Sequence, residues 1–146
     1  MRIRLARNAH EVARCFPVLT QLRPHLSPED FAQRLPRLRR QGYRLAYLED
    51  RGHVCAVAGF RILEMWSRGR FLYVDDLVTE ASQRSRGYGA ALLAWLVQYA
   101  RRHGCQRLDL DSGVERSAAH RFYERCGLQV VALHFAQPIR KDDREP

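Results

Sequence analysis

The sequence predicts an α/β fold: a single domain built on one mixed β-sheet with helices on both faces. Three observations carry that expectation. At 146 residues and 17.0 kDa the chain suits one ordinary domain, because two would each sit near the size at which a core is hard to close. With 46% hydrophobic and 28% charged residues it has enough apolar surface for a packed core. Segments of alternating apolar pattern are interleaved with segments of helical period, the order expected of a sheet covered by helices.

Ile3 and Leu5 alternate with Arg2 and Arg4 in a short opening strand. Asn8, with Glu11 three residues later, starts a helix whose apolar face is Val12, Cys15, Phe16 and Leu19, and Pro17 should kink it. Ser27-Pro28-Glu29-Asp30 starts a second helix with a capping serine and proline in the first turn. Its apolar face is Phe31, Leu35 and Leu38, Pro36 should break it, and Gly42 ends it. Residues 43–48 and 54–63 read as strands around a turn at Asp50-Arg51-Gly52, and residues 71–79 as a third. Residues 88–103 form the strongest helix, apolar over much of its girth. Arg101, Arg102 and His103 precede Gly104 there, placing cations at the negative end of the helix dipole. Residues 107–110 read as a strand, 117–126 as a helix closed by Gly127, and 128–135 as a final strand. The expected domain covers residues 1–137, with 138–146 a disordered tail.

Charge and cysteine usage narrow the function classes. The 25 basic and 16 acidic residues leave +9 and a pI near 10.1, a field that attracts anions. Lys141 is the only lysine, so the excess is an arginine bias of the whole chain and is discounted as a sign of nucleic-acid binding. No apolar run approaches the roughly 20 residues needed to span a bilayer. Cys15, Cys55, Cys105 and Cys126 show neither C-x-x-C nor histidine ligand spacing, so buried thiols and no metal site are expected. The arginine-rich start lacks the serines of a transit peptide and the apolar run of a secretory signal, and a cytoplasmic location is expected.

The most informative stretch is Arg84-Ser85-Arg86-Gly87-Tyr88-Gly89-Ala90, between a strand and the strongest helix. Small residues let the backbone approach a ligand closely. The first amides of a helix have no internal partners and, with the dipole and two arginines, form an anion site fit for a pyrophosphate. By itself this stretch fits equally a glycine-loosened turn with solvated arginines. It is not the dinucleotide fingerprint, which needs G-x-G-x-x-G, nor a Walker loop, which needs a lysine after the glycines. Leu72-Tyr73-Val74-Asp75-Asp76-Leu77-Val78-Thr79 precedes it, and Ala119-His120-Arg121-Phe122-Tyr123-Glu124-Arg125-Cys126-Gly127 follows.

These three blocks, in this order, resemble the GNAT superfamily of acetyl-CoA-dependent N-acetyltransferases. The family's Q/R-x-x-G-x-G/A is met at Arg84, Gly87 and Gly89, and its F-Y-x-x-x-G at Phe122, Tyr123 and Gly127. The resemblance implies a GNAT-type fold and direct transfer of an acetyl group from acetyl-CoA to a primary amine, with no metal. It implies that the coenzyme A pyrophosphate rests on the amides of Arg84, Ser85, Arg86, Gly87, Tyr88, Gly89 and Ala90. The pantetheine arm would lie along Leu77, Val78 and Thr79, where a bulge opens the sheet, and an N–H near Val78 would hold the acetyl oxygen. Tyr123 matches the family's proton donor to the sulfur, although a core aromatic fits the same pattern.

Asp75 and Asp76 are the base candidates; alternation points them to opposite faces, and Asp75 is favoured. Glu64 is next, while His120 reads as surface-facing and His134 as reaching the acceptor side. Arg116 stands where many members carry asparagine, which puts the detail of pantetheine binding in question. The acceptor expected is a small-molecule amine, its site shaped by the loop between the first two helices, the turn at residues 66–70 and the final strand. Met65 and Trp66 fit either an apolar wall there or a covered strand edge. A protein N-terminus, a lysine or an aminoacyl-tRNA is the alternative acceptor, and a regulator that binds acyl-CoA or nucleic acid without turnover is the alternative outside enzymes. The resemblance also implies a homodimer.

Overall fold

A computed structural model describes residues 1–140, which fall into two compact units, Met1–Leu110 and a smaller one beginning at Asp111. The first unit holds five strands in the order β1-β2-β3-β4-β5: β1 (Arg2–Leu5), β2 (Arg44–Asp50), β3 (His53–Met65), β4 (Gly69–Thr79) and β5 (Arg107–Leu110). The first four are antiparallel neighbours and β5 joins β4 in parallel, so the sheet is mixed. The β2–β3 turn has Arg51 at φ 54° and Gly52 at φ 79°, the paired positive values of a tight hairpin turn.

Three helices belong to this unit: α1 (Ala9–Leu22), α2 (Pro28–Arg40) and α3 (Tyr88–Arg102). Asn8 caps α1 by accepting from the Glu11 amide at 2.8 Å, and Ser27 caps α2 by accepting from the Asp30 amide at 3.0 Å. Both helices run on through Pro17 and Pro36, so the break expected at Pro36 is not present. Proline removes one amide but its fixed φ is helical. Val18 and Leu19 after Pro17, and Leu38 after Pro36, keep the apolar face against the core. Alternation along β2 and β3 divides the core. Leu45, Tyr47 and Val57 pack with Val12, Cys15 and Val18 of α1 and Leu35 of α2. Phe60 lies edge-on to Tyr99 of α3, with ring centroids 5.1 Å apart. Buried Cys15 and Cys55 are free thiols, and burial pushes the Cys15 thiol up to about 12.

The second unit contains α4 (Ser117–Arg125), closed by Gly127 at φ 95°. Residues 128–140 form neither helix nor strand, so the strand expected at residues 128–135 is not present. Its alternating apolar pattern is real, but Val131, Leu133 and Phe135 are 69, 73 and 88% exposed. A strand exists only through a ladder partner, and pattern alone cannot supply one. Of the expected tail, residues 138–140 are irregular and 141–146 lie outside the described residues.

Candidate active site

β4 is the strand on which the site is built. Gly59 of β3 pairs with Asp76 and Phe60 with Val74, which leaves Asp75 as an extra residue on β4. Such a bulge breaks the two-residue period. Asp75 and Asp76, expected on opposite faces, therefore both line one cleft of about 330 Å³. The parallel pairing with β5 ends at Val74–Leu110, so Leu77, Val78 and Thr79 continue without a β5 partner. Among the described residues no strand pairs with that edge of β4, the kind of edge at which strand-like addition occurs.

The two carboxylates are held by partners from other elements. Arg61 of β3 donates to both oxygens of Asp75, through Nε at 3.1 Å and Nη2 at 2.6 Å. Burial raises the Asp75 carboxyl above its ordinary range, and Arg61 opposes that rise. Arg23, just past the end of α1, donates to Asp76 at 2.9 Å and to the Asp75 carbonyl at 3.1 Å. Tyr43 donates its hydroxyl to the second Asp76 oxygen at 2.8 Å, and burial raises the phenol strongly. Leu19, Leu26, Phe31 and Leu38 supply the apolar lining, and His25 and Arg34 line the cleft as well.

The loop before α3 has the form its composition anticipates. A short 3₁₀ turn (Ala81–Gln83) leads into it, Ser85 lies at φ 67° and Gly87 at φ 81°. Gly87 is the first flanking residue of α3 and provides no side-chain cap, so the leading amides are not taken by one. A Cβ built on Gly87 would meet no atom of the other described residues within 4 Å, so the space beside the loop is open among them. Tyr88 anchors the start of α3 by donating to Asp50 at 2.6 Å. Gln21 of α1 holds the approach by accepting from the Ala81 amide at 2.9 Å.

In the second unit Tyr123 lies on α4, its ring 5.5 Å from that of Phe122, and burial raises its hydroxyl above the ordinary tyrosine range. His120 donates through Nε2 to the Gly113 carbonyl at 2.7 Å, a contact that ties the loop to the helix. Arg116 flanks α4 without a side-chain cap. His134 meets Asp111 at 3.1 Å. Glu64 is exposed and is not part of the cleft, and Trp66 is fully exposed on the β3–β4 turn. Sequence reasoning missed Arg23, Arg61 and Tyr43. Only the crowding of two acids on one strand hinted that cations must lie nearby.

Comparison with known proteins bears on this arrangement. The model of the Acetyltransferase (GNAT) family matches residues 6–128. An uncharacterised N-acetyltransferase of Bacillus subtilis, YhdJ, is 34% identical over 131 residues, covering 88% of this chain and 92% of that one. Glucosamine 6-phosphate N-acetyltransferase of Arabidopsis thaliana is 25% identical over 118 residues, 77% of each chain. A crystal structure under that enzyme name from the same plant superposes with a TM-score of 0.74 at 22% identity, covering 95% of this chain and 98% of that one. The structure of AAC(6')-Iy with a bisubstrate analogue of coenzyme A and acetylneamine has a TM-score of 0.81 at 17% identity, covering 95 and 97%.

Proposed function

The chain belongs to the acetyltransferase (GNAT) family, and from that premise we propose that it transfers the acetyl group of acetyl-CoA to a primary amine of a small molecule. The carrying observation is the loop before α3: a positive-φ glycine, helix amides without a side-chain cap and open space beside them, at the end of a strand with one edge unpaired. Those residues fit a pyrophosphate-bearing co-substrate. The amides of Arg84–Ala90 would hold the pyrophosphate, and the backbone of Leu77, Val78 and Thr79 the pantetheine arm. Acetyl-CoA, when bound, supplies an activated thioester carbonyl.

The protein's own groups have three tasks. A β4 backbone N–H near Val78, on the edge that β5 leaves unpaired, stabilises negative charge on the acetyl oxygen. Asp75, raised by burial, receives the proton that the ammonium must lose before it can attack. Tyr123, kept protonated by the same effect, returns a proton to the departing sulfur. The small cleft beside Asp75 and Asp76 supports a small acceptor over a polypeptide or tRNA. So does the acceptor in the name of the Arabidopsis relative, an amino sugar phosphate.

Calorimetric titration with acetyl-CoA, with NAD and ATP as controls, tests the reading. Binding of acetyl-CoA alone, followed by amine-dependent thiol release, is expected. Folded protein that binds no acetyl-CoA would overturn it.

A further inference from the structure

The cleft beside β4 is lined by more cations than its carboxylates need. Arg61 is committed to Asp75, with Nη2 2.6 Å from Oδ2, and Arg23 to Asp76 at 2.9 Å. Each carboxylate keeps lone pairs beyond those its partner takes. Two further basic side chains line the same cleft, His25 from the segment after α1 and Arg34 from α2. The Asp30 partner of Arg34 is not part of the lining, and that pair, at 3.1 Å with side chains 47 and 45% exposed, is a solvated helix-surface contact. Ion pairs of this kind hold weakly and exchange readily for a better anion. The lining thus has two chemical poles. β4 presents carboxylates suited to an ammonium, while α2 and the segment before it present a guanidinium and an imidazole suited to an anion. Leu26, Phe31 and Leu38 supply apolar lining for a short carbon skeleton.

We infer that the acceptor is an amine that also carries a phosphate or phosphonate, recognised by Arg34 with His25, while Asp75 and Asp76 face its amino group. A guanidinium suits a tetrahedral oxyanion because it donates in a planar fork to two oxygens at once. This rests on the acetyl-transfer reading and deepens it by assigning the acceptor's second functional group.

The test compares matched acceptors: glucosamine 6-phosphate against glucosamine, and 2-aminoethylphosphonate against propylamine, each with acetyl-CoA and a thiol-release readout. The native protein should prefer the phosphorus-containing member of each pair in kcat/KM. Arg34→Gln should shrink that preference about 10- to 100-fold, the range for losing a charged hydrogen-bond donor. Arg34→Lys should restore part of it, and His25→Gln should act in the same direction more weakly. Arg34 is exposed, so thermal melts should show these variants folded. Equal kcat/KM within each pair, or a preference untouched by Arg34→Gln, would overturn the inference and leave acetyl transfer standing. Should no amine turn over, calorimetry with glucosamine 6-phosphate decides separately. Binding lost on Arg34→Gln would keep the anion site and sink the transferase reading, and absence of binding would sink the site.

Discussion

Asp75 combines two opposed influences: burial lifts its carboxyl, and a guanidinium grips both of its oxygens. A base must be ionised to work, so a raised carboxyl makes the rate fall with decreasing pH sooner than an ordinary aspartate would. Asp75→Asn should lower kcat about 100-fold and erase that acid limb. An unaltered pH profile would take the role from Asp75 and leave it to water. Tyr123 carries the opposite sign. A raised phenol stays protonated through neutral pH and can donate. Tyr123→Phe should lower kcat by about 100-fold while acetyl-CoA affinity, read by calorimetry, stays within about twofold; unchanged turnover would refute the acid role. At this scale the acids and the tyrosine are legible in the sequence. Their partners Arg23, Arg61 and Tyr43 are not, because each belongs to a different element.

The loop before α3 and the bulge in β4 are the elements that make the cleft. Gly87 at φ 81° occupies a left-handed conformation that costs an L side chain about 1–2 kcal/mol. Gly87→Val should therefore lower Tm by several degrees, yet leave the fold intact, since a Cβ there meets no atom of the other described residues within 4 Å. The added side chain would instead fill the ligand's space and abolish acetyl-CoA binding. A folded variant that binds normally would show the pyrophosphate lies elsewhere. Gly59, opposite the bulge, behaves differently: a Cβ there would run into the Tyr43 hydroxyl and the Asp76 carboxylate. Gly59→Ala should cost about 1–3 kcal/mol in denaturant unfolding and raise the acceptor KM together. A stable variant with ordinary KM would mean that the Tyr43–Asp76 contact is dispensable. The loop was readable because glycine spacing is local. The bulge was not, because the register of β3 against β4 is set by how two distant segments meet, and an extra residue overturns the face assignment that alternation predicts.

Across the whole molecule the +9 charge should act on encounter rather than on chemistry. Raising ionic strength tenfold shortens the screening length about threefold. Acetyl-CoA association, followed by stopped flow, should slow accordingly, while the dissociation rate changes little. A salt-independent association rate would leave the basic field without a role in co-substrate capture. The family resemblance implies a homodimer, and we carry that as a proposal. Sedimentation should give the mass of two chains, and the mass of one would remove that part of the proposal.

Legible in the chain alone are features that a few neighbouring residues encode. They include the caps at Asn8 and Ser27, the five strands of the sheet, the apolar girth of α3, its glycine-bearing approach, and the family to which they point. Tertiary structure alone decided which groups meet. Arg61 and Asp75 are 14 residues apart, Tyr43 and Asp76 33, and Arg23 and Asp76 53. It also decided that both acids enter one cleft and that residues 128–135 find no ladder partner among the described residues. Periodicity reports which side of an element is apolar, but pairing and charge compensation are properties of two segments at once, and only the fold brings the second segment to the first.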